Sequence, residues 1–270
     1  RGMLQPEKLF PKGLQVPLPE DAPLVPDIDE FRFGYLVRIS EEAVMEGHTA
    51  GRYSGTHFRY PVVYGPRQVS HEVWGLMQRF TDKRPHIVLP EGGLTLTTHG
   101  YSENVAHAVL LAAQQPEVAA GQIYNCADER QFTLAQWVQV IGEAMDGEIE
   151  IVSVPDRYAY SARSLMMFYG PADHQIFDLY KVKAELGYRD PVDPVEALQR
   201  TVNWYRENPP VVPEQFATDL AENYSMEDDI VPAYREACAK WSRIDHVARD
   251  YHHSYPHPKR PGLSKDHRER

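Results

Sequence analysis

The sequence predicts an α/β fold, because segments with helical periodicity alternate along the chain with short apolar segments. Val73, Trp74, Met77 and Phe80 recur at the spacing that places side chains on one face of a helix. The run Ile87-Val88-Leu89 that follows is typical of a short buried strand, and a pair of glycines ends the segment. The same succession repeats along the chain, which favours a sheet covered by helices.

The first part of the chain divides into an arm and the start of the repeating pattern. Residues 1–32 contain six prolines, a density that blocks helix interiors and sheet ladders, so we expect an extended arm. From Tyr35 to about His48 the pattern predicts an amphipathic helix, and residues 56–63 predict a strand.

The remaining elements follow in order. Helices are predicted over 70–80 with Ser70 as N-cap, 103–113, 134–145 with Thr133 as cap, 178–186 with Gly187 after its end, 194–208 and 231–250; strands are predicted over 87–89, 122–125 and 149–154. Four regions result: an arm at 1–32, an α/β region at 33–125, a second region at 126–210, and a helical extension with a disordered tail at 211–270.

Composition excludes several classes of function. The net charge is −11 and the one basic run, 259–270, is terminal, which argues against binding to nucleic acid or anionic lipid. The sequence contains no apolar run that approaches the length of a bilayer span, so we expect a soluble cytoplasmic protein without a membrane partner. Cys126 and Cys238 form neither a disulfide framework nor a metal-binding pair.

A strand that breaks into a tight turn is the most informative motif. The apolar segment 56–63 runs into Tyr64-Gly65-Pro66, with Arg59 before the turn and Arg67 directly after it. A strand that ends this way between two arginines predicts a binding cleft at the end of the strand.

Three further segments matter because of their order. They are Thr98-His99-Gly100-Tyr101-Ser102-Glu103-Asn104-Val105-Ala106, Gly121-Gln122-Ile123-Tyr124-Asn125-Cys126-Ala127, and Asp178-Leu179-Tyr180-Lys181 with Leu186-Gly187-Tyr188. Together with the Tyr-Gly-Pro turn, this order resembles the extended short-chain dehydrogenase/reductase family, which includes the nucleotide-sugar epimerases and dehydratases, over roughly residues 33–207.

The resemblance implies a partial Rossmann-like sheet with a smaller C-terminal α/β substrate domain. On that basis 33–125 is the remaining half of a Rossmann-type domain with interleaved substrate-domain segments, and 126–210 is the substrate-binding domain. It implies an NAD(P)-dependent oxidoreductase that transfers a hydride between the nicotinamide and a carbinol or ketone of a sugar-like small molecule, with a homodimer formed through the helix at 35–48. NAD or NADP is expected only with the glycine-rich N-terminal half, because these 270 residues contain neither Gly-x-Gly-x-x-Gly nor Gly-x-x-Gly-x-x-Gly. As a fragment, the chain is expected to be inactive.

The resemblance also assigns candidate site residues. Tyr35 and Arg38 are the candidates for catalysis, although the family's Tyr-x-x-x-Lys is degenerate: Ile39 stands four residues after Tyr35, and Gly34 stands four before Arg38. Tyr60 and Pro61 are expected against the nicotinamide. The substrate-binding candidates are Arg59, Arg67, His99 and Tyr101. Thr97 occupies the position of the arginine that clamps a diphosphate in this family.

Each assignment has an alternative. Arg59 could instead pair with a neighbouring carboxylate, Tyr35 could pack at a helix start, and His99 and Tyr101 could be structural. The whole chain could be a non-catalytic binding or scaffold protein that keeps the fold and has lost the reaction. The sequence around His252, His253 and His257 does not support a metal site. The run Met166-Met167-Phe168-Tyr169 is typical of core or of a lid over an apolar pocket.

Overall fold

Helices and parallel strand pairs alternate along the chain, which confirms the predicted α/β class. This computed structural model describes residues 10–11, 13, 15–166, 170, 172–245, 247–249, 260–262 and 264–265. The chain forms two compact units, Arg1–Val231 and Pro232–Arg270. The histidines at 252, 253 and 257 and residues 167–169 of the Met-Phe-Tyr run lie outside the described residues.

The helices are α1 (Arg32–Thr49), α2 (Glu72–Thr81), α3 (Ser102–Gln114), α4 (Pro116–Ala119), α5 (Leu134–Ala144), α6 (Tyr180–Leu186), α7 (Pro194–Glu207) and α8 (Glu214–Trp241). The strands are β1 (His57–Arg59), β2 (Val62–Tyr64), β3 (His86–Pro90), β4 (His99–Tyr101), β5 (Ile123–Asn125) and β6 (Glu150–Val154). None of these helices combines the length and the apolar character that a membrane span requires.

The strands associate as three parallel pairs, β1 with β5, β2 with β4, and β3 with β6. The single strand predicted over 56–63 is wrong in this detail, because it divides at Tyr60 and Pro61 into two strands with different partners. Proline has no backbone N–H to donate to a ladder, so the division falls where pairing is weakest.

Local sequence signals explain the helix ends. Thr133 caps α5 in a capping box, since its hydroxyl accepts from the Gln136 N–H while the Gln136 side chain accepts from the Thr133 N–H. Gly187 ends α6 with a φ of 69°, which glycine adopts without strain. The predicted cap Ser70 is wrong: His71 precedes α2, and the Ser70 hydroxyl bonds to the Glu72 carboxylate instead.

Long-range packing extends beyond the predicted elements at both ends of the first unit. Leu18 and Val25 of the proline-rich arm are buried, and Leu18 forms a parallel bridge with Phe177. The helix predicted from residue 231 begins at Glu214, and its Glu227 carboxylate accepts a hydrogen bond from Arg79 of α2 at 2.7 Å. This ion pair ties α8 to α2, with side chains only 3% and 0% exposed.

Candidate functional site

The Tyr-Gly-Pro turn is held by a buried carboxylate. Asp128 accepts hydrogen bonds from the Tyr64 hydroxyl at 2.8 Å, the Tyr101 N–H at 2.9 Å and the Asn104 amide at 2.8 Å. Tyr64 and Tyr101 are the last residues of β2 and β4, which run parallel and in register. The carboxyl ends of both strands are therefore fixed together at one edge, where α/β proteins place their ligands.

An inner cavity opens beside this edge, between α2, the segment leading into β4, and α5. Its polar lining residues are Gln68, Glu72, Thr95, Thr97, His99 and Trp137. Its apolar lining residues are Val73, Leu76, Phe132, Leu134, Leu165 and Met166. The volume is about 30 Å³, enough for a water-sized group. Among the described residues, neither a lysine nor an arginine lines it.

Glu72 begins α2 and faces this cavity. Its Oε2 accepts hydrogen bonds from the Gln68 amide and from the Ser70 hydroxyl, both at 3.3 Å. Burial raises the pKa of the Glu72 carboxyl to about 7, against the lowering effect of those two hydrogen bonds. The group therefore exchanges a proton near neutral pH, which general acid–base chemistry requires.

His99 lies opposite as a neutral ring. Burial lowers the pKa of His99 to about 4, although a hydrogen bond to the Thr97 carbonyl raises it. Nδ1 is 2.8 Å from the Thr97 carbonyl oxygen, which can only accept, so Nδ1 carries the proton and Nε2 is an acceptor. The imidazole packs on Trp137 with ring centroids 4.4 Å apart. His99 of the predicted substrate set therefore lines a cavity, while also packing against aromatic neighbours.

Two buried polar atoms of the lining lack a hydrogen-bond partner among the described residues. They are Trp137 Nε1, a donor on a side chain that is only 6% exposed, and Gln68 Oε1, an acceptor. Buried polar groups are nearly always paired, because an unmade hydrogen bond costs about 1–3 kcal/mol. One hydrogen-bond donor and one acceptor, on residues that line the inner cavity, are therefore available to a ligand.

Arg59, predicted to bind substrate, is engaged in a buried ion pair. Its side chain is 4% exposed and donates to both Glu41 oxygens, from Nε at 2.7 Å and from Nη2 at 2.6 Å. Nη1 donates to the Glu20 carbonyl. This fork joins β1 to α1 and to the arm, as the alternative interpretation of Arg59 expects, and contact with a substrate stays a prediction.

Arg67 and Tyr101, the other residues predicted to bind substrate, differ in exposure. Arg67 is exposed and has a φ of 63°, directly after the turn. Tyr101 is buried, and its hydroxyl donates to Glu103 at 3.0 Å. Neither residue lines the inner cavity.

The predicted cofactor residues lie at the break between β1 and β2. Tyr60 is 36% exposed and stacks on Phe58 with ring centroids 6.1 Å apart. Burial raises the pKa of its phenol to about 12, with a further contribution from Cys126. Pro61 is half-buried. Contact of either residue with a nicotinamide stays a prediction.

The candidate catalytic pair lies on the first turns of α1. The Arg38 guanidinium stands 5.2 Å from the centre of the Tyr35 ring, donates to the Pro26 carbonyl at 3.1 Å and pairs with Glu42. Gly34, which stands at the tyrosine position in the other register, packs so closely that an added Cβ would lie 2.7 Å from the Phe31 ring. Glycine is thus part of the local packing.

Sequence reasoning missed Gln68, Glu72 and Trp137. Glu72 reads as an ordinary acidic residue in a first helical turn, and Trp137 as a core residue four positions after the Thr133 cap. The one available signal was the position of Gln68 and Glu72 directly after the Tyr-Gly-Pro turn. Among the described residues, no group of three His, Cys, Asp or Glu side chains could hold a metal ion.

The part of the chain that contains the Tyr-Gly-Pro turn matches a known protein family. A sequence profile of the NAD-dependent epimerase/dehydratase family matches residues 8–127. This match agrees with the predicted resemblance to the epimerase/dehydratase family over that segment. It is 29% identical to the uncharacterized protein YbjS of Escherichia coli (strain K12), with 45% of this chain and 42% of that protein covered. It is 27% identical to the uncharacterized protein y4nL of Sinorhizobium fredii, with 56% and 47% covered.

Solved structures show the same fold. The UDP-glucose 4-epimerase of Thermotoga maritima with UDP-glucose superposes with a TM-score of 0.56 at 24% identity, covering 77% of this chain and 61% of that chain. The UDP-glucuronic acid 4-epimerase of Bacillus cereus, in complex with UDP-glucuronic acid and NAD, gives 0.57 at 14% identity, covering 73% and 58%. The chain spans about half the length of the curated relatives it matches.

Proposed function

We propose that this chain builds the substrate-binding side of an NAD-dependent oxidoreductase of the epimerase/dehydratase type, which acts on a carbinol or ketone. The inner cavity carries the proposal. Thr97 and His99, at family positions that meet the substrate, line it together with a carboxyl group that titrates near neutral pH. In this reaction class the nicotinamide cofactor accepts or returns the hydride, and the protein positions the substrate and its proton.

The described residues could contact only one part of the dinucleotide, its nicotinamide end. Tyr60 and Pro61 could meet a nicotinamide ring, but the 270 residues contain no glycine fingerprint to approach its pyrophosphate. The Tyr-x-x-x-Lys pair is also incomplete, because Gly34 and Ile39 occupy the two defining positions. The proposal is therefore that this chain alone neither binds NAD(P) tightly nor turns over.

Isothermal titration calorimetry tests the cofactor statement. NAD⁺, NADH, NADP⁺ and NADPH are titrated separately into the 270-residue chain, and we expect no binding in the micromolar range. Micromolar binding of any of the four would contradict the proposed division of labour, and the preferred one would distinguish NAD from NADP.

A substrate-side role also requires the inner cavity to accept the polar group of a small alcohol or ketone. Nuclear magnetic resonance of the nitrogen-15-labelled chain measures this, with cyclohexanol and cyclohexanone as probes. We expect shifts in residues that line the inner cavity, including the Trp137 indole N–H. Absence of any shift with both probes would refute the substrate-side role.

The alternative is a non-catalytic binding or scaffold protein of the same fold. The close packing of Gly34 against Phe31 favours it, because a tyrosine at this position would have to displace the Phe31 ring. A scaffold that binds no small molecule predicts that neither cyclohexanol nor cyclohexanone binds the inner cavity. The same resonance experiment therefore separates the substrate-side function from such a scaffold.

Self-association through α1 is part of the proposal. Phe33 and Leu36 are exposed apolar side chains on this helix, at the position where the family resemblance expects a dimer contact. Sedimentation velocity should show a dimer that a Leu36→Asp variant disrupts; a monomeric wild-type chain would contradict this. The cytoplasmic location expected from composition stays a prediction.

A further inference from the structure

A second cavity adjoins the inner one. This outer cavity has a volume of about 610 Å³ and shares Glu72, Leu165 and Met166 with the inner cavity. Its wall adds Phe216 and Leu220 from α8, and the Phe216 ring packs against His71 with centroids 5.4 Å apart. The carboxyl of Glu72 therefore stands at the junction between a narrow polar end and a space of ordinary ligand size.

The charges around this junction do not suit a diphosphate. No described residue that lines the inner cavity is cationic, and by the family resemblance Thr97 stands at the position of the arginine clamp. Arg79, which lines the outer cavity, is neutralised by the buried Glu227 carboxylate at 2.7 Å. Asp219 and, when ionised, Glu72 supply negative charge to the same wall. An anionic group would therefore lose its hydration without gaining a cationic partner.

The polar atoms without partners specify another kind of ligand. Trp137 Nε1–H requires an acceptor, and Gln68 Oε1 requires a donor. Both hydrogen bonds that Glu72 accepts from described residues go to Oε2, and neither goes to Oε1. A hydroxyl group can satisfy the donor and the acceptor together, and a carbonyl group can accept from both Trp137 and a protonated carboxyl.

We propose that the inner cavity binds the hydroxyl or carbonyl group of an uncharged, mainly apolar ligand, held by Trp137, Gln68 and Glu72, with the body of the ligand in the outer cavity. This inference rests on the proposed substrate-side function and names its substrate class. The apolar lining of both cavities, from Val73 and Leu76 to Phe216 and Leu220, contacts the ligand body. Protonated Glu72 donates a hydrogen bond to a ketone, and ionised Glu72 accepts a hydrogen bond from an alcohol.

Binding of a ketone should therefore depend on pH. With a Glu72 pKa of about 7, the protonated fraction falls roughly tenfold between about pH 6 and pH 8, and the affinity for cyclohexanone should fall by the same factor. The other titratable or charged groups that line the two cavities are His71, Arg79, His99 and Asp219. His71→Gln and Asp219→Asn variants should keep the pH dependence if Glu72 is its source.

The experiment follows the Trp137 indole N–H resonance, assigned by its loss in a Trp137→Phe variant. Cyclohexanone should shift this resonance downfield, with affinity that falls about tenfold from about pH 6 to pH 8. Glu72→Gln, whose amide donates at every pH, should bind cyclohexanone with no pH dependence. Gln68→Leu should weaken cyclohexanol more than cyclohexanone.

Each outcome decides the inference. Cyclohexanone binding that is independent of pH, or equally pH-dependent in the Glu72→Gln variant, overturns the inference and leaves the substrate-side function standing. Absence of binding by both probes overturns the function as well. A shift of the Trp137 resonance by UDP-glucose or cyclohexanecarboxylate at affinities equal to cyclohexanone also overturns it, because an anionic ligand would then be accepted.

Discussion

Replacing Glu72 with glutamine should make the protein more stable, and the gain should depend on pH. The folded chain raises the pKa of this carboxyl from its ordinary 4.5 to about 7, mainly by burial. Between these values the unfolded chain releases the proton while the folded chain keeps it. Stability is therefore lost as the pH rises from about 4.5 to 7, and the loss is complete above the folded pKa.

The size of the effect follows from the same shift. Each pKa unit corresponds to about 1.4 kcal/mol, so ionisation of Glu72 costs at most about 3.5 kcal/mol of stability above neutral pH. Glutamine keeps the shape without the charge. We expect Glu72→Gln to raise the free energy of unfolding by about 1–3 kcal/mol at about pH 8, and to change it little at about pH 5.

Urea unfolding followed by circular dichroism measures both values. The matched control is Glu143→Gln, because Glu143 is an exposed glutamate on α5. The difference in the free energy of unfolding between wild type and Glu143→Gln should be the same at both pH values. A Glu72→Gln variant that is less stable than wild type at about pH 8, or equally stabilised at both, would show that the carboxyl is not buried as described. A stabilising loss of a polar group is typical of residues kept for binding.

Three buried carboxylate contacts give further predictions, each measured by urea unfolding. Arg59→Met should cost about 3–5 kcal/mol, because it leaves Glu41 buried without its cation, and an unchanged midpoint would mean that Arg59 is free to serve a ligand. Glu227→Gln should cost a similar amount by stranding Arg79, and a loss below about 1 kcal/mol would show that α8 is not fixed by this pair. Asp128→Ala should cost about 3 kcal/mol or more through its three donors, against about 1 kcal/mol for Tyr64→Phe; equal losses would contradict the network.

Several elements could be predicted because their signals are local. Helix α5 follows from a capping residue and apolar periodicity within a few positions, and the end of α6 follows from a glycine that adopts positive φ. The division of the strand at 56–63 could not be predicted, because β1 and β2 choose their partners, β5 and β4, more than thirty residues away along the chain. Helix α8 was predicted to begin too late, because its first half is stabilised by a contact with α2.

Some residues of the candidate site could likewise be predicted from the sequence, and others could not. The motif order predicts the resemblance that the family profile matches over residues 8–127, and it includes His99 and Thr97, which line the inner cavity. No pattern in the chain marks Trp137 or Gln68, because an unmet hydrogen bond exists only once all neighbours are in place.

Local order in the chain was therefore enough to predict the α/β class, most helices and the resemblance to the epimerase/dehydratase family. Folding in three dimensions established the chemistry: the pairing of Arg59 with Glu41, the raised pKa of Glu72, and the polar atoms left without partners in the inner cavity. The physical reason is range. Backbone preferences act over a few residues, whereas burial and charge pairing depend on groups as far apart as Arg79 and Glu227, 148 positions along the chain.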